Sequence, residues 1–185
     1  EVQLTKENLG WSYPEPFAEP QEALDHYREA LGRGEKHQTD WEATFSAYRD
    51  AYPDEARSLE LAWEGTLGEG WSAEADKLFE SHDTPLSTRE ASGKVLNAIV
   101  DHVQGLVGGS ADLAPSNNTR LIDRGDFSNK DRSGQNMHFG VREHAMGSIA
   151  NGMALHGGII PYAATFLIFS DYMRPSIRLA AIMGL

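Results

Sequence analysis

Three short apolar stretches, Gln104 to Val107, Met137 to Phe139 and Ile159 to Ala164, are each followed by a stretch of helical spacing. This alternation constrains the fold more than any other feature of the chain. Strands joined through helices run the same way and pair side by side, so the pattern predicts an α/β fold, a parallel sheet with helices on both faces. A helix should also precede the first strand. Ser87 and Glu90 have the spacing of a capping box, and Val95, Ile99 and Val103 recur behind it. Gly108-Gly109, just after the first strand, is expected to turn the backbone sharply. In sheets of this kind ligands sit beyond the carboxyl ends of the strands, where residues 108–117, 140–147 and 165–172 should fall.

The first half reads differently. Residues 1–19, with Tyr13-Pro14-Glu15-Pro16-Phe17, read as extended loop, because each proline biases its predecessor away from helix. Pro20 suits a first helical position, and Leu24, Tyr27 and Leu31 recur up to Gly32, which should end that helix. A second helix is expected from Thr39, capped with Glu42, and its Trp41, Phe45 and Tyr48 form an aromatic stripe whose ordinary role is core packing. Pro53 should end it and open a shorter helix with Leu59 and Trp63, before Gly65, Gly68 and Gly70 loosen the connection. The domain junction is expected between about residues 52 and 84, and from Asp83 onward charges thin out.

Charge and composition exclude several functions. Residues 1–90 hold 21 acidic and 8 basic side chains, against 7 and 8 in residues 91–185, so the net charge of −12 comes entirely from a first half that would repel nucleic acid. The absence of cysteine rules out a disulfide framework and thiolate metal sites, and fits a reducing compartment. No apolar run reaches the roughly 20 residues a bilayer span needs, so no membrane association is expected. The first residue is Glu, and Ala181 to Leu185 break off in an apolar helical pattern without a stop signal, as an internal fragment would. A cytoplasmic location is expected, with organelle import of a longer parent left open.

Taken alone, the polar residues near the strand ends have plain explanations. Asp112 would serve as an Asx-turn or helix cap. Glu143, in the first turn of a helix presenting Met146, Ile149 and Met153 inward before Gly157-Gly158, complements the helix dipole. Phe166, Phe169 and Tyr172, at i, i+3 and i+6 on a helix after the third strand, are the spacing of ordinary core. Arg89 would be an exposed helix-start arginine, and Arg142 and Arg120 are candidates for structural ion pairs. The seven histidines, His82 among them, show no ligand spacing, and His144 is expected to pack rather than react.

Read in order, Gly108-Gly109-Ser110-Ala111-Asp112-Leu113-Ala114-Pro115-Ser116-Asn117, Gly140-Val141-Arg142-Glu143-His144-Ala145-Met146-Gly147 and Thr165-Phe166-Leu167-Ile168-Phe169 resemble the transketolases. These enzymes use thiamine diphosphate to move two-carbon ketol units between sugar phosphates. The resemblance implies a role for each residue. Glu143 matches the glutamate that hydrogen-bonds the cofactor's pyrimidine ring and makes the exocyclic nitrogen opposite basic enough to take the thiazolium proton. Phe166, Phe169 and Tyr172 match the aromatic cluster around that ring, Asp112 an anion near the thiazolium, and Leu113 a residue packing beside it. Arg89 and Ser116 match residues that grip the substrate phosphate, a task suited to a guanidinium fork and a hydroxyl.

The resemblance also implies an organisation. Residues 1–52 would be the C-terminal end of the diphosphate-binding domain, 53–83 a helical connector and 84–185 the N-terminal part of the pyrimidine-binding domain. The divalent metal, magnesium or calcium, would be held by a Gly-Asp-Gly stretch outside this chain. The parent would be a homodimer acting on sugar phosphates of the pentose phosphate or Calvin cycle type, and the isolated fragment would be inactive. Dihydroxyacetone synthase shares most of these motifs; 1-deoxyxylulose 5-phosphate synthase fits the glutamate block less well. A non-catalytic transketolase-like interaction module is the alternative from another class.

Overall fold

The computed structural model describes residues 1–80 and 84–185. His82, Asp83 and the expected connector boundary at residue 83 lie outside the described residues. The chain divides into two compact units, Glu1–Pro53 and Asp54–Leu185.

The first unit holds α1 (Val2–Asn8) and α2 (Gln21–Ala51). The loop expected over residues 1–19 is corrected at its start, since residues 2–8 contain no helix breaker and the prolines restrict only their immediate predecessors. The Lys6 ammonium then donates to the carbonyls of Tyr13, Pro14 and Glu15 at 3.0, 2.9 and 3.1 Å, folding the following segment back.

The two helices expected between Pro20 and Pro53 are one, 31 residues long, with Pro20 as its N-cap. Gly32 does not end it, and Thr39 does not cap a new one: the Thr39 hydroxyl donates one turn back to the Glu35 carbonyl at 2.9 Å. Side-chain pairs four apart flank the weak point, Arg33 with Glu29 at 3.5 Å and Lys36 with Asp40 at 2.6 Å. Gln21 with Asp25 and Gln38 with Glu42 extend the ladder. Each pair is worth about 0.2–0.5 kcal/mol, which together offset much of the cost of Gly32 and Gly34, about 1 kcal/mol each. The aromatic stripe is not sequestered core. Trp41 stacks on Phe45 with centroids 5.2 Å apart, Phe45 on Tyr48 at 6.3 Å, and Trp41 is 52% exposed.

In the second unit α3 (Pro53–Glu64) opens as expected, with Asp54 and Glu55 in its first turn. After turns and α4 (Ala73–Lys77), α5 (Thr88–Ile99) begins at the expected capping box. The Glu90 carboxylate accepts from the Ser87 backbone N–H at 3.0 Å and from its hydroxyl at 2.6 Å, and these bonds hold its pKa below the usual value. α5 stops at Ile99, so Val103 is buried from the loop beyond it rather than from the helix.

The three expected strands are present as β1 (Leu106–Ser110), β2 (Asn136–His138) and β3 (Ile160–Ala164), all parallel, in the order β2-β1-β3. Gly108 and Gly109 lie inside β1, not in a turn after it. A Cβ on Gly108 would strike the Tyr162 carbonyl and ring, and one on Gly109 the Met137 carbonyl, so the central strand is bare where both neighbours close on it. Alternation along the strands separates two cores. Leu106 and Tyr162 face a cluster with Val100, Val103 and Leu121; Ala163 and Met137 face one with Ala111, Phe139, Met146 and Met173. Helices therefore cover both faces.

A short α6 (Ala114–Asn117) follows β1, α7 (Glu143–His156) follows β2, and a 3-10 turn (Leu167–Phe169) leads from β3 into α8 (Ser170–Met183). On α7, Met146 is buried as expected, whereas Ile149 is 45% exposed. α7 and α8 are joined through Ser176, whose hydroxyl meets Ser148 Oγ at 3.0 Å and donates to the His144 carbonyl at 2.9 Å. α8 does carry a stop signal, Gly184 in left-handed conformation at φ 75°.

Candidate functional site

The carboxyl edge of the sheet gathers three chain segments, one from each strand end. At the end of β1, Ser110 Oγ accepts from the Leu113 backbone N–H at 2.9 Å, so serine and not Asp112 holds the turn. Asp112 sits in the left-handed region at φ 62°, a conformation aspartate tolerates better than most residues. It is exposed, and its carboxylate makes no hydrogen bond among the described residues; neither the Asx-turn nor the cap is realised. Leu113, half-buried, is the residue preceding α6.

At the end of β2, Arg142 precedes α7 and donates from Nη1 to the Phe139 carbonyl at 2.9 Å, closing the turn on itself. Glu143, the first residue of α7, is only 8% exposed. Its carboxyl has no hydrogen bond or ion pair among the described residues. The residue is largely enclosed, but its carboxyl oxygens keep contact with solvent and have no protein partner among the described residues, so they are free to meet a ligand.

At the end of β3 the helix expected to carry all three aromatics is interrupted. Phe166 is extended at φ −71°, ψ 148°, Phe169 closes the 3-10 turn, and Tyr172 lies in the first turn of α8. Phe169 and Tyr172 stack with centroids 6.4 Å apart and planes 20° from parallel. Phe166 is half-buried and Tyr172 is 65% exposed. The backbone turns tightly there because Ser170 Oγ donates to the Leu167 carbonyl at 2.6 Å.

Arg89 and Ser116, 27 residues apart, are brought together: Arg89 Nη1 donates to the Ser116 carbonyl at 3.3 Å. One donor is used, and the exposed guanidinium keeps others. The loop that follows is pinned from two sides. Asn97 on α5 donates to the Arg120 carbonyl and accepts from the Ile122 N–H, at 3.1 and 2.8 Å. The buried Asn136 accepts from the Leu121 N–H at 2.8 Å. Arg120 forms the ion pair anticipated for it, at 2.8 Å from Asp126, which His138 also meets at 3.1 Å. Those two bonds, His138 first, hold the Asp126 carboxyl below the usual range.

Two buried polar atoms among the described residues have no partner, Asn117 Nδ2 and Thr165 Oγ1. Both flank assigned residues, Ser116 and Phe166, and neither was singled out from sequence, where burial of one hydroxyl leaves no mark. Among the described residues no three His, Asp or Glu side chains cluster as metal ligands. His144 packs towards α8, its Nδ1 3.4 Å from Ser176 Oγ. No helix among the described residues is long and apolar enough to cross a membrane.

A family model described as "Transketolase, pyrimidine binding domain" matches residues 84–185, and one described as "Transketolase, thiamine diphosphate binding domain" matches residues 1–68. A transketolase of Bacillus subtilis is 48% identical over 186 residues, covering 100% of this chain and 28% of its own length. The chloroplastic transketolase-1 of Arabidopsis thaliana is 44% identical over 183 residues, covering 98% and 24%. Among solved structures, a Pichia stipitis transketolase in complex with sedoheptulose 7-phosphate superposes with a TM-score of 0.86 at 36% identity, covering 98% of this chain and 28% of that one. The Campylobacter jejuni transketolase superposes at 0.76 and 35%, covering 98% and 26%. The chain thus spans about a quarter of the length of the relatives it matches.

Proposed function

The chain belongs to the transketolase family, and from that premise we propose that it is part of a thiamine diphosphate-dependent enzyme transferring two-carbon ketol units from ketose phosphates to aldose phosphates. The observation that carries the reading is Glu143, a largely enclosed residue whose carboxyl has no partner among the described residues, at the carboxyl edge of a parallel sheet. When bound, the cofactor would supply a nucleophilic thiazolium carbon.

The chain's own residues prepare that chemistry. Glu143 would hydrogen-bond the pyrimidine nitrogen opposite the exocyclic amine, with its largely enclosed position limiting competition from water. Phe166, Phe169 and Tyr172 enclose the ring, the last two already stacked. Asp112, its carboxylate without a hydrogen bond among the described residues, would set a negative charge near the cationic ring, and Leu113 would pack beside it. Arg89 and Ser116 bind the substrate phosphate with the remaining guanidinium donors and the serine hydroxyl.

Residues 1–52 are assigned to the end of the diphosphate-binding domain, 53–83 to the connector and 84–185 to the pyrimidine-binding domain. The 84–185 family match supports the last of these; the other match runs to residue 68, past the proposed start of the connector. The parent is a homodimer in which one subunit presents Glu143 to cofactor whose diphosphate and magnesium or calcium are held by the other. It serves pentose phosphate or Calvin cycle metabolism, in the cytoplasm or an organelle.

The test is proton exchange at the thiazolium carbon, followed by NMR in deuterated buffer with the full-length protein. Glu143→Ala is expected to slow exchange by orders of magnitude. Exchange near the wild-type rate would overturn the assignment.

A further inference from the structure

We propose that Ser110 is a positioning residue for Asp112, its hydroxyl holding Asp112 in the left-handed conformation and so fixing the direction in which that side chain leaves the turn; the inference rests on the preceding reading of Asp112 as the anion near the cofactor's cationic ring. Ser110 is only 3% exposed and acts through Asp112, not by contact with cofactor or substrate.

The last residues of β1 have little free backbone with which to close a turn. The Ser110 carbonyl accepts from the Phe139 N–H, just beyond β2, at 3.4 Å, and the Ala111 N–H donates to the Ala164 carbonyl of β3 at 3.3 Å. Ala111 is also buried, in the cluster with Phe139, Met146 and Met173. The chain is thus tied to both neighbouring strands as far as Ala111. Two residues later the Leu113 carbonyl accepts from the Ser116 and Asn117 N–H groups, at 2.8 and 2.9 Å, and starts α6. Only Asp112 lies between these anchors, and it bridges them at φ 62°.

In a hydrogen-bonded β-turn the N–H of the fourth residue meets the carbonyl of the first. Here the sheet has engaged that carbonyl, and the Ser110 hydroxyl takes its place, accepting from the Leu113 N–H at 2.9 Å. That bond fixes the peptide group directly after Asp112, and the Asp112 backbone with it. Among the described residues it is the one side-chain hydrogen bond in the turn. A residue with a Cβ keeps a φ near +60° where its surroundings impose it. Without the hydroxyl the Leu113 N–H loses its partner, Asp112 can relax to negative φ, and its carboxylate swings out of place.

The test uses the full-length protein, first without cofactor. In Ser110→Ala the Leu113 amide, followed by hydrogen exchange and mass spectrometry, should exchange about two- to tenfold faster than in wild type, the worth of one neutral hydrogen bond. Asp112→Asn keeps the tolerance of positive φ and removes the charge, so it should leave that exchange unchanged. Titration calorimetry with thiamine diphosphate and magnesium should then show Asp112→Asn binding about fivefold more weakly, and Ser110→Ala weakened by up to that factor. The double variant should bind no more weakly than Asp112→Asn alone, because a charge already absent cannot be displaced. Ser110→Cys, similar in size but with a sulfur that accepts poorly, gives the same comparison if the alanine variant does not fold. Wild-type exchange at Leu113 in Ser110→Ala, wild-type affinity in Ser110→Ala beside a weakened Asp112→Asn, or additive weakening in the double variant would each withdraw Ser110 and leave the reading of Asp112 standing. Wild-type affinity in Asp112→Asn would withdraw that reading, and the positioning role with it.

Discussion

Two ionisable residues withdrawn from solvent, the half-buried Tyr162 and the largely enclosed Glu143, differ in their partners. The Tyr162 hydroxyl donates to the Thr119 carbonyl at 2.8 Å, and burial pushes its pKa up from 10.0 to about 12. The folded state thus holds that proton more tightly than the unfolded chain does. Tyr162 contributes stability that is fully present below pH 10 and is lost as pH rises towards 12. Tyr162→Phe should cost about 0.5–1.5 kcal/mol at neutral pH, measured by denaturant melts, and should flatten that alkaline limb. An unchanged limb would mean that another group titrates there. Glu143 has no such partner among the described residues, and this contrast supports the role proposed for it, where its sequence position marked only a helix start. Arg89 and Ser116 were legible as a pair only through the family motif; nothing in their own spacing, 27 residues, predicts the bond between them. Their role separates by kinetics. In the full-length enzyme Arg89→Ala should raise KM for phosphorylated sugars at least tenfold while leaving unphosphorylated donors little changed, and equal losses for both would point to misfolding.

Among the elements, one pattern was read correctly once and wrongly once. Ser87-x-x-Glu90 and Thr39-x-x-Glu42 are both capping boxes on paper, but only the first starts a helix. Ser87 follows a proline at position 85 that resists helix, whereas Thr39 lies inside a ladder of i, i+4 pairs that makes continuing cheaper than stopping. Gly108-Gly109 misled for a related reason: bare backbone suits a turn and a crowded central strand equally, and only neighbours at both edges tell them apart. Gly109→Ala should therefore destabilise the chain by about 1–3 kcal/mol or more, read from the urea midpoint, because the Met137 backbone cannot yield as a side chain could. The segment entering β2 is tied by Asp126 to His138 and Arg120. Its lowered pKa means that the stability it contributes, present above the ordinary aspartate value of 3.8, is lost as pH falls through the folded value. Asp126→Asn should shallow the acid limb of a melting profile below about pH 4; an identical limb would contradict the assignment.

At the scale of the whole molecule, the parallel sheet was legible from alternation alone, and its strand order was not. Three strands linked by helices run one way whichever is central, and the order β2-β1-β3 rests on which faces the connecting helices cover. The acidic surplus was legible and is spread over the first ninety residues; α2, in which no residue is buried, carries 7 acidic and 4 basic side chains of it. Because the chain spans about a quarter of its relatives, the isolated 185 residues should show no ketol transfer in a coupled assay, and turnover above background would refute the proposed division of the site between subunits. The central claim is that one carboxyl at the head of α7 meets the cofactor's ring. A crystal structure of the full-length protein with thiamine diphosphate bound measures this most directly. The account predicts a Glu143 carboxyl oxygen at about 2.5–3.0 Å from the pyrimidine nitrogen opposite the amine. A Glu143 side chain turned to solvent, with a different acid against that nitrogen, would contradict it.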